Sequence, residues 1–289
     1  MNGFNADGFN ADGFNAARLL EHKAGVAGAA ILAVAALVAV VAPLLIPADA
    51  LDVTRVTDPP WQAPGAGHWL GTDHTGRSIA LLMVQGAGTS LFVGLTAAVL
   101  AVAIGALVGV VSGHFGGLLA GALLRVTDFF LVLPALVLAI ALSTVLPRGL
   151  STIVLAIGLT SWPSTARVVR AQTLTIEARP FVERARALGG GHGHVIARHV
   201  MPSVVPLVLV NATLAVASAI VAESTLAFLG LGDPTRISWG ALLHQAQLHG
   251  AVPQRAWWFL LPPGAAIVVV VLAFTLVGRA LEAVVTPKR

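Results

Sequence analysis

From Ser78 to Leu124 the chain runs for 47 residues without one formally charged side chain. A helix rising about 1.5 Å per residue crosses hydrocarbon about 30 Å thick in about 20 residues. The run therefore exceeds one span, and it offers water almost nothing to solvate. A second uncharged run, Ala24 to Ile46, has 23 residues, enough for one crossing. Of 289 residues, 57% are apolar and only 10% are charged, against about 25% charged in an average soluble domain. So few charges cannot clothe a soluble core of this size. The expected fold is all-α: a polytopic transmembrane helical bundle.

Six spans are predicted. The first is Ala24 to Ile46; a signal peptide is the competing reading, but the apolar core outruns the usual about 7 to 15 residues. Gly113, Gly116 and Gly117 break the long uncharged run around His114, which places span two at Ser90 to Ser112. Spans three and four follow at Phe129 to Leu146 and Gly149 to Ala166, joined by a turn at Pro147. Span five is Pro206 to Leu231, and span six is Trp257 to Gly278. Leu118 to Leu124 is apolar but too short to cross, and it leaves room for one further hidden helix. Residues 1–23 are expected to form a disordered tail, since the repeat GFNAD, GFNAD, GFNA over residues 3–16 builds no apolar helical face. Residues 47–89 form an outer loop, 90–283 a five-span core with an inner loop at 167–203, and 284–289 a short tail.

Lys and Arg give this arrangement a direction. With the N-terminus inside, 12 of the 17 basic residues lie on inner segments, and only Arg55, Arg77, Arg148, Arg236 and Arg255 lie outside. Cytoplasmic segments carry the excess of basic residues, so both termini are expected in the cytoplasm. The basic residues sit between apolar runs, with no nucleic-acid-binding motif, so nucleic acid is not an expected partner. Cysteine is absent, which excludes disulfides and thiolate metal sites. Lysine occurs only at Lys23 and Lys288, neither in a glycine-rich phosphate loop. If ATP drives this protein, another subunit hydrolyses it.

The inner loop from Arg167 to Ser203 contains six arginines. Phe181, Ala185 and Leu188 fall at helical spacing on one side, with Glu183, Arg184 and Arg186 on the others. Gly189 to Gly191 then stop the helix, and a second short helix is expected from His194 to Val200. A basic surface loop that only satisfies the charge bias is the plain reading. The spacing of Glu183, Ala185, Gly189 and Pro202, however, resembles the EAA loop of ABC importer permeases. Arg184 stands in place of that motif's first alanine, His199 of its aliphatic residue and Met201 of its leucine.

Further blocks resemble the dipeptide, oligopeptide and nickel permease branch of that family, in the subunit with one large outer loop after its first span. These are Trp69 to Arg77, where Ser78 replaces a usual aspartate, Ser112 to Gly117, Ala222 to Gly232, Ser238 to Gly240 and Trp257 to Gly264. The resemblance implies a type I ABC importer fold without catalysis by this chain. It also implies a second homologous permease subunit, two ATPase subunits carrying ATP and Mg, and an extracytoplasmic solute-binding protein, all at a bacterial inner membrane. It assigns ATPase coupling to Glu183, Arg184, Ala185, Arg186, Leu188, Gly189, His199 and Pro202. A secondary transporter or channel is the alternative, but no inverted repeat supports it. An intramembrane enzyme would need clustered acids and histidines inside the spans.

Two residues within spans are candidates for the solute path. Glu223 either lines the path or makes a structural hydrogen bond near the outer face; Asn211 either lines it or bonds a neighbouring helix. Asp128, three residues after Arg125, has the spacing of a local ion pair. The pairs His192 with His194 and His244 with His249 lack carboxylates at ligand spacing, so no metal site is expected.

Overall fold

In lipid, backbone polar groups have to be satisfied within their own segment, and the uncharged runs accordingly fold as helices. A computed structural model describes residues 22–46, 50–65 and 67–285. Of the expected tails 1–23 and 284–289, residues 1–21 and 286–289 lie outside the described residues, while Lys23, Val284 and Val285 are helical. In order, the helices are α1 (Lys23–Leu45), α2 (Ile79–His114), α3 (Gly117–Val132), α4 (Ala135–Val145), α5 (Leu150–Glu177) and α6 (Pro180–Ala187). A short α7 (His192–Val195) and a π-helical turn (Ile196–Val200) lead into α8 (Met201–Phe228), followed by α9 (Trp239–Leu248) and α10 (Trp257–Val285). Among the described residues, five helices are long and apolar enough to cross a membrane, or six if the bent pair α3–α4 counts as one span.

The boundaries differ from expectation for identifiable reasons. Span two begins at Ile79 rather than Ser90, because nothing between these positions breaks a helix and the membrane does not limit helix length. The expected span three is split, with α3 and α4 meeting at 88°. Pro134 has no N–H to donate and forces Leu133 into extended backbone at ψ 133°. The hidden helix near Leu118 is thus the start of α3 and not a seventh span. Span four continues past Ala166 to Glu177, so the first part of the inner loop is helical. The expected second loop helix is not separate: α7 and the π turn run directly into α8. Pro202 cannot donate to the carbonyl one α-turn back, and immediately before it the Met201 N–H reaches the Ile196 carbonyl in the wider register. Helix α9 was not anticipated; Ser238 caps it, its hydroxyl accepting from the Ala241 N–H at 3.2 Å. Asp128 pairs with Arg167 at 2.9 Å across two helices, in place of the local pair with Arg125.

Helices α2 and α5 approach through Gly105, Gly109 and Gly113, spaced one helical turn apart on a single face. A Cβ on these glycines would lie 2.6 Å from Thr165 Cβ, 2.7 Å from the Ala166 carbonyl and 2.7 Å from Thr173 Cβ. Lipid tails are as apolar as leucine, so close backbone approach and dispersion hold the pair together where burial from water cannot. The same device recurs between Gly94 and Ile220 of α8, and between Gly25 of α1 and Ala280 of α10.

Segments expected outside meet at one end of the bundle. Buried Asp73 accepts from the Thr75 hydroxyl at 2.8 Å and from Arg77 Nε at 2.8 Å, and Arg77 reaches Gln245 at 3.2 Å. Trp258 Nε1 donates to the Thr72 carbonyl at 3.2 Å. His74 stacks on His249 with ring centroids 3.5 Å apart and planes 11° from parallel. Burial holds the His74 imidazole below its ordinary pKa, the His249 and Arg77 charges add to this, and Asp73 opposes it. Gly71 and Gly76 take φ of +73° and +90° in this turn, and a Cβ at Gly76 would sit 2.1 Å from the Asp58 carbonyl.

Two predictions follow from this packing. Gly109→Leu overfills the α2–α5 contact at a cost of about 1–3 kcal/mol or more, and is expected to reduce the amount of folded protein in the membrane several-fold. Gly121→Leu, at a position with nothing within 4 Å, serves as the control and leaves that amount unchanged. Separately, a histidine whose folded pKa is depressed binds its proton more readily when unfolded, so stability drops as pH falls below about 6.5. Thermal unfolding of the purified protein between pH 7.5 and 5.5 is expected to show this loss, and His74→Phe to reduce it.

Candidate functional site

The amphipathic helix α6 is suspended at the end of the bundle opposite the His74 clasp. Arg179, in extended backbone, precedes it, and Pro180 opens it with a preset φ at a position whose N–H needs no partner. Glu183 lies in its first turn, and Arg184 and Arg186 in its last, the charge order a helix dipole favours. Leu188 ends it, and Gly189 follows at φ +89°. The Gly189 N–H donates to the Arg186 carbonyl at 2.9 Å, and the Gly190 N–H to that of Ala185 at 2.9 Å. This is a Schellman close, in which the second residue past the helix reaches back across the turn.

The side that α6 buries is marked by Val182 and not by the apolar stripe. Val182, fully buried, packs with Val110 of α2, Val169 and Ile176 of α5, Val195 of α7, and Val200 and Val204. The Phe181, Ala185 and Leu188 stripe faces away from the bundle, with Phe181 42% and Leu188 89% exposed. This stripe, Arg184, Gly189 to Gly191, His194 and His199 line one open groove. His199 sits beside Phe181 and His194, its ring centroid 5.8 Å and 5.7 Å from theirs. Glu183 and Arg184 are exposed. Arg186 is drawn back to the bundle by an ion pair with Glu177. Pro202 lies in the first turn of α8, beyond the groove residues.

The two path candidates separate. Asn211 lines a cleft between α2, α5 and α8 with Ser161, Ser164 and Ser218, and its Nδ2 donates to Thr165 Oγ1 on α5 at 2.7 Å. Among the described residues, no charged side chain lines this cleft. Glu223 is 1% exposed and absent from the cleft wall. It accepts from the Ser90 hydroxyl at 3.3 Å and from Ser224 at 3.2 Å. The Ser90 oxygen in turn accepts from the Trp239 N–H at 3.1 Å.

Among the described residues, the histidines noted as pairs in the sequence take other partners. His192 bonds His114 at 2.9 Å, His244 donates to the Phe228 carbonyl at 2.8 Å, and His249 stacks on His74. Sequence reading also passed over Ser161, Ser164 and Ser218. Their signal is weak, since hydroxyls within apolar helices more often bond their own backbone.

The fold defines a multi-pass α-helical membrane protein whose one strongly basic end carries a mounted amphipathic helix. Residues 101–289 match the family described as binding-protein-dependent transport system inner membrane component, and residues 16–64 match the N-terminal TM domain of oligopeptide transport permease C. The chain is 35% identical over 273 residues to a Brucella suis protein named "Putative peptide permease protein", covering 94% of this chain and 89% of that one. It is 35% identical over 227 residues to the oligopeptide transport system permease protein OppC of Bacillus subtilis, covering 78% and 73%. The chain belongs to the binding-protein-dependent inner membrane component family, and it is a permease subunit of an ABC importer.

The Schellman close makes a specific demand on position 189. Gly189→Ala forces a side chain into the left-handed region at a cost of about 1 kcal/mol. Amide hydrogen exchange over residues 185–190 is expected to speed up about fivefold, while exchange in the neighbouring α8 stays unchanged.

Proposed function

We propose that this chain forms one half of the path of a peptide importer, and that residues 167–203 lie in the cytoplasm with α6 seated on an ATPase subunit. The observation that carries this reading is the outward-turned stripe of Phe181, Ala185 and Leu188 on a helix anchored from behind by Val182. An apolar stripe placed in water beside exposed arginines has the character of a protein contact. Arg184, Gly189 and His199 border the same groove, which supports assigning them to that contact. Glu183 sits at the positive end of the helix and supports its geometry.

The family supports the rest of the assembly. This chain has no phosphate-binding loop, so ATP and Mg belong to partner subunits that close on nucleotide, and a second permease subunit completes the path. The names of the relatives support peptides as the solute. The cleft beside Asn211 supports it independently, because hydroxyl and amide groups without a fixed charge suit solutes that carry backbone amides and variable side chains. An extracytoplasmic binding protein would deliver the solute to the Asp73 and His74 end, which is the outer face in this reading. The excess of basic residues at the α6 end supports that orientation.

In the assembled complex in proteoliposomes, Leu188→Asp and Arg184→Glu are expected to cut peptide uptake at least tenfold without reducing the amount of permease in the membrane. Uptake within twofold of the parent in both variants refutes the coupling assignment.

A further inference from the structure

Helix α6 joins α5 through Ala178 and Arg179 alone, and both have ordinary unstrained backbone, at φ −80°, ψ 2° and φ −83°, ψ 140°. Such a linker does not by itself fix the direction in which α6 points. The valine cluster beneath Val182 holds α6 down, but apolar contact is non-directional and permits sliding. Direction has to come from bonds with geometry.

Those bonds converge on one carboxylate. Glu177, the last residue of α5, accepts from His114 Nδ1 at the end of α2 through Oε1, and from Arg186 of α6 through Oε2. Its side chain is 11% exposed, and that of His114 is fully buried. Because a carboxylate only accepts, the His114 proton sits on Nδ1. In the neutral ring Nε2 then accepts from Nδ1 of His192, at 2.9 Å. His192 is the first residue of α7, past the glycines that close α6. Both ring nitrogens of His114 are thus engaged by protein groups. One step above, Arg170 of α5 donates to the Ser112 carbonyl of α2 at 3.4 Å.

We propose that Glu177 is the positioning residue for coupling: it clamps α6 and the start of α7 to the glycine-packed α2–α5 pair, so that a push on α6 moves that pair as one body. This rests on the reading of α6 as the ATPase contact. Arg186 therefore serves the bundle and not the partner, in contrast to Arg184 two residues before it. The clamp is directional, since each carboxylate oxygen is committed to a different element. Loss of the Arg186 bond leaves α6 attached through Val182 and free to swivel about Ala178 and Arg179, and loss of the His114 bond unties the end of α5, with α6, from α2 and α7.

The test is a double-mutant cycle on the complete importer in proteoliposomes, with Glu177→Gln, Arg186→Gln and the pair together, reading ATP hydrolysed per peptide imported. Each single change is expected to raise that ratio about tenfold at unchanged complex abundance. The double variant should stay within twofold of the singles, because both act through one contact. A normal ratio in Glu177→Gln overturns the proposal. So does a double variant in which the two effects multiply, which would place Arg186 on the ATPase. Loss of assembled complex in Glu177→Gln overturns it too, in favour of a folding role. Leu188→Asp, measured in parallel, separates the two readings. If it uncouples while Glu177→Gln does not, only the clamp is wrong; if it also leaves the ratio and the uptake rate normal, the coupling surface itself is wrong.

Discussion

The contact between α2 and α5 along Gly105, Gly109 and Gly113 is the constraint on which the other helices depend. Without a hydrophobic driving force between helices in lipid, association requires backbones close enough for many dispersion contacts and for stray hydroxyls to find partners. Three glycines at successive turns provide that proximity, and Thr165, Ala166, Val169 and Thr173 fill the space. The pair then serves as a wall. Helix α8 leans on it through Gly94 and Ile220 and through the Asn211 to Thr165 bond, and the uncharged cleft opens where the three meet.

The two ends of this wall are finished differently. At the Asp73 end, a turn that needs positive φ at Gly71 and Gly76 is tied to α9 and α10 by Arg77, Trp258 and the stacked histidines. At the other end, α5 runs on through Arg167 and Arg170 to Glu177 and carries α6 beyond it. In the coupling role proposed for it, α6 has to stay ordered while leaving one face uncovered. Burying Val182 and turning Leu188 outward meets both requirements on one short helix.

Much of this was legible in the sequence, and the remainder was hidden for physical reasons. Charge distribution reveals spans and their alternation, because the cost of placing charge in hydrocarbon is large and local. It does not reveal where helices end, since a charged residue need not break a helix, and α5 continues through Arg167 to Glu177. The amphipathic spacing of α6 showed two faces, but not which of them the bundle covers. Periodicity identifies an apolar stripe without saying whether this chain or a partner covers it, and here Val182, outside the stripe, packs into the valine cluster of the bundle. The glycine stripe of α2 was readable as repeated small residues one turn apart, whereas the role of those glycines as turn formers drew the reading to Gly113 alone. The His114, Glu177, Arg186 and His192 cluster draws on four segments, and no local pattern announces such a meeting.

The serine bridge at Glu223 bears on how the Asp73 end of the bundle is presented. Ser90 donates to that carboxylate while accepting from the Trp239 N–H, and Gly240 lies so close to Ser224 that a Cβ would come within 2.5 Å of its carbonyl. Helix α9 is therefore a fixed floor of the bundle, not a loop that orders on contact. Lifting it would strand a buried carboxylate and a backbone donor together. A protein docking on that floor meets a surface already in its final shape and loses little conformational entropy on arrival.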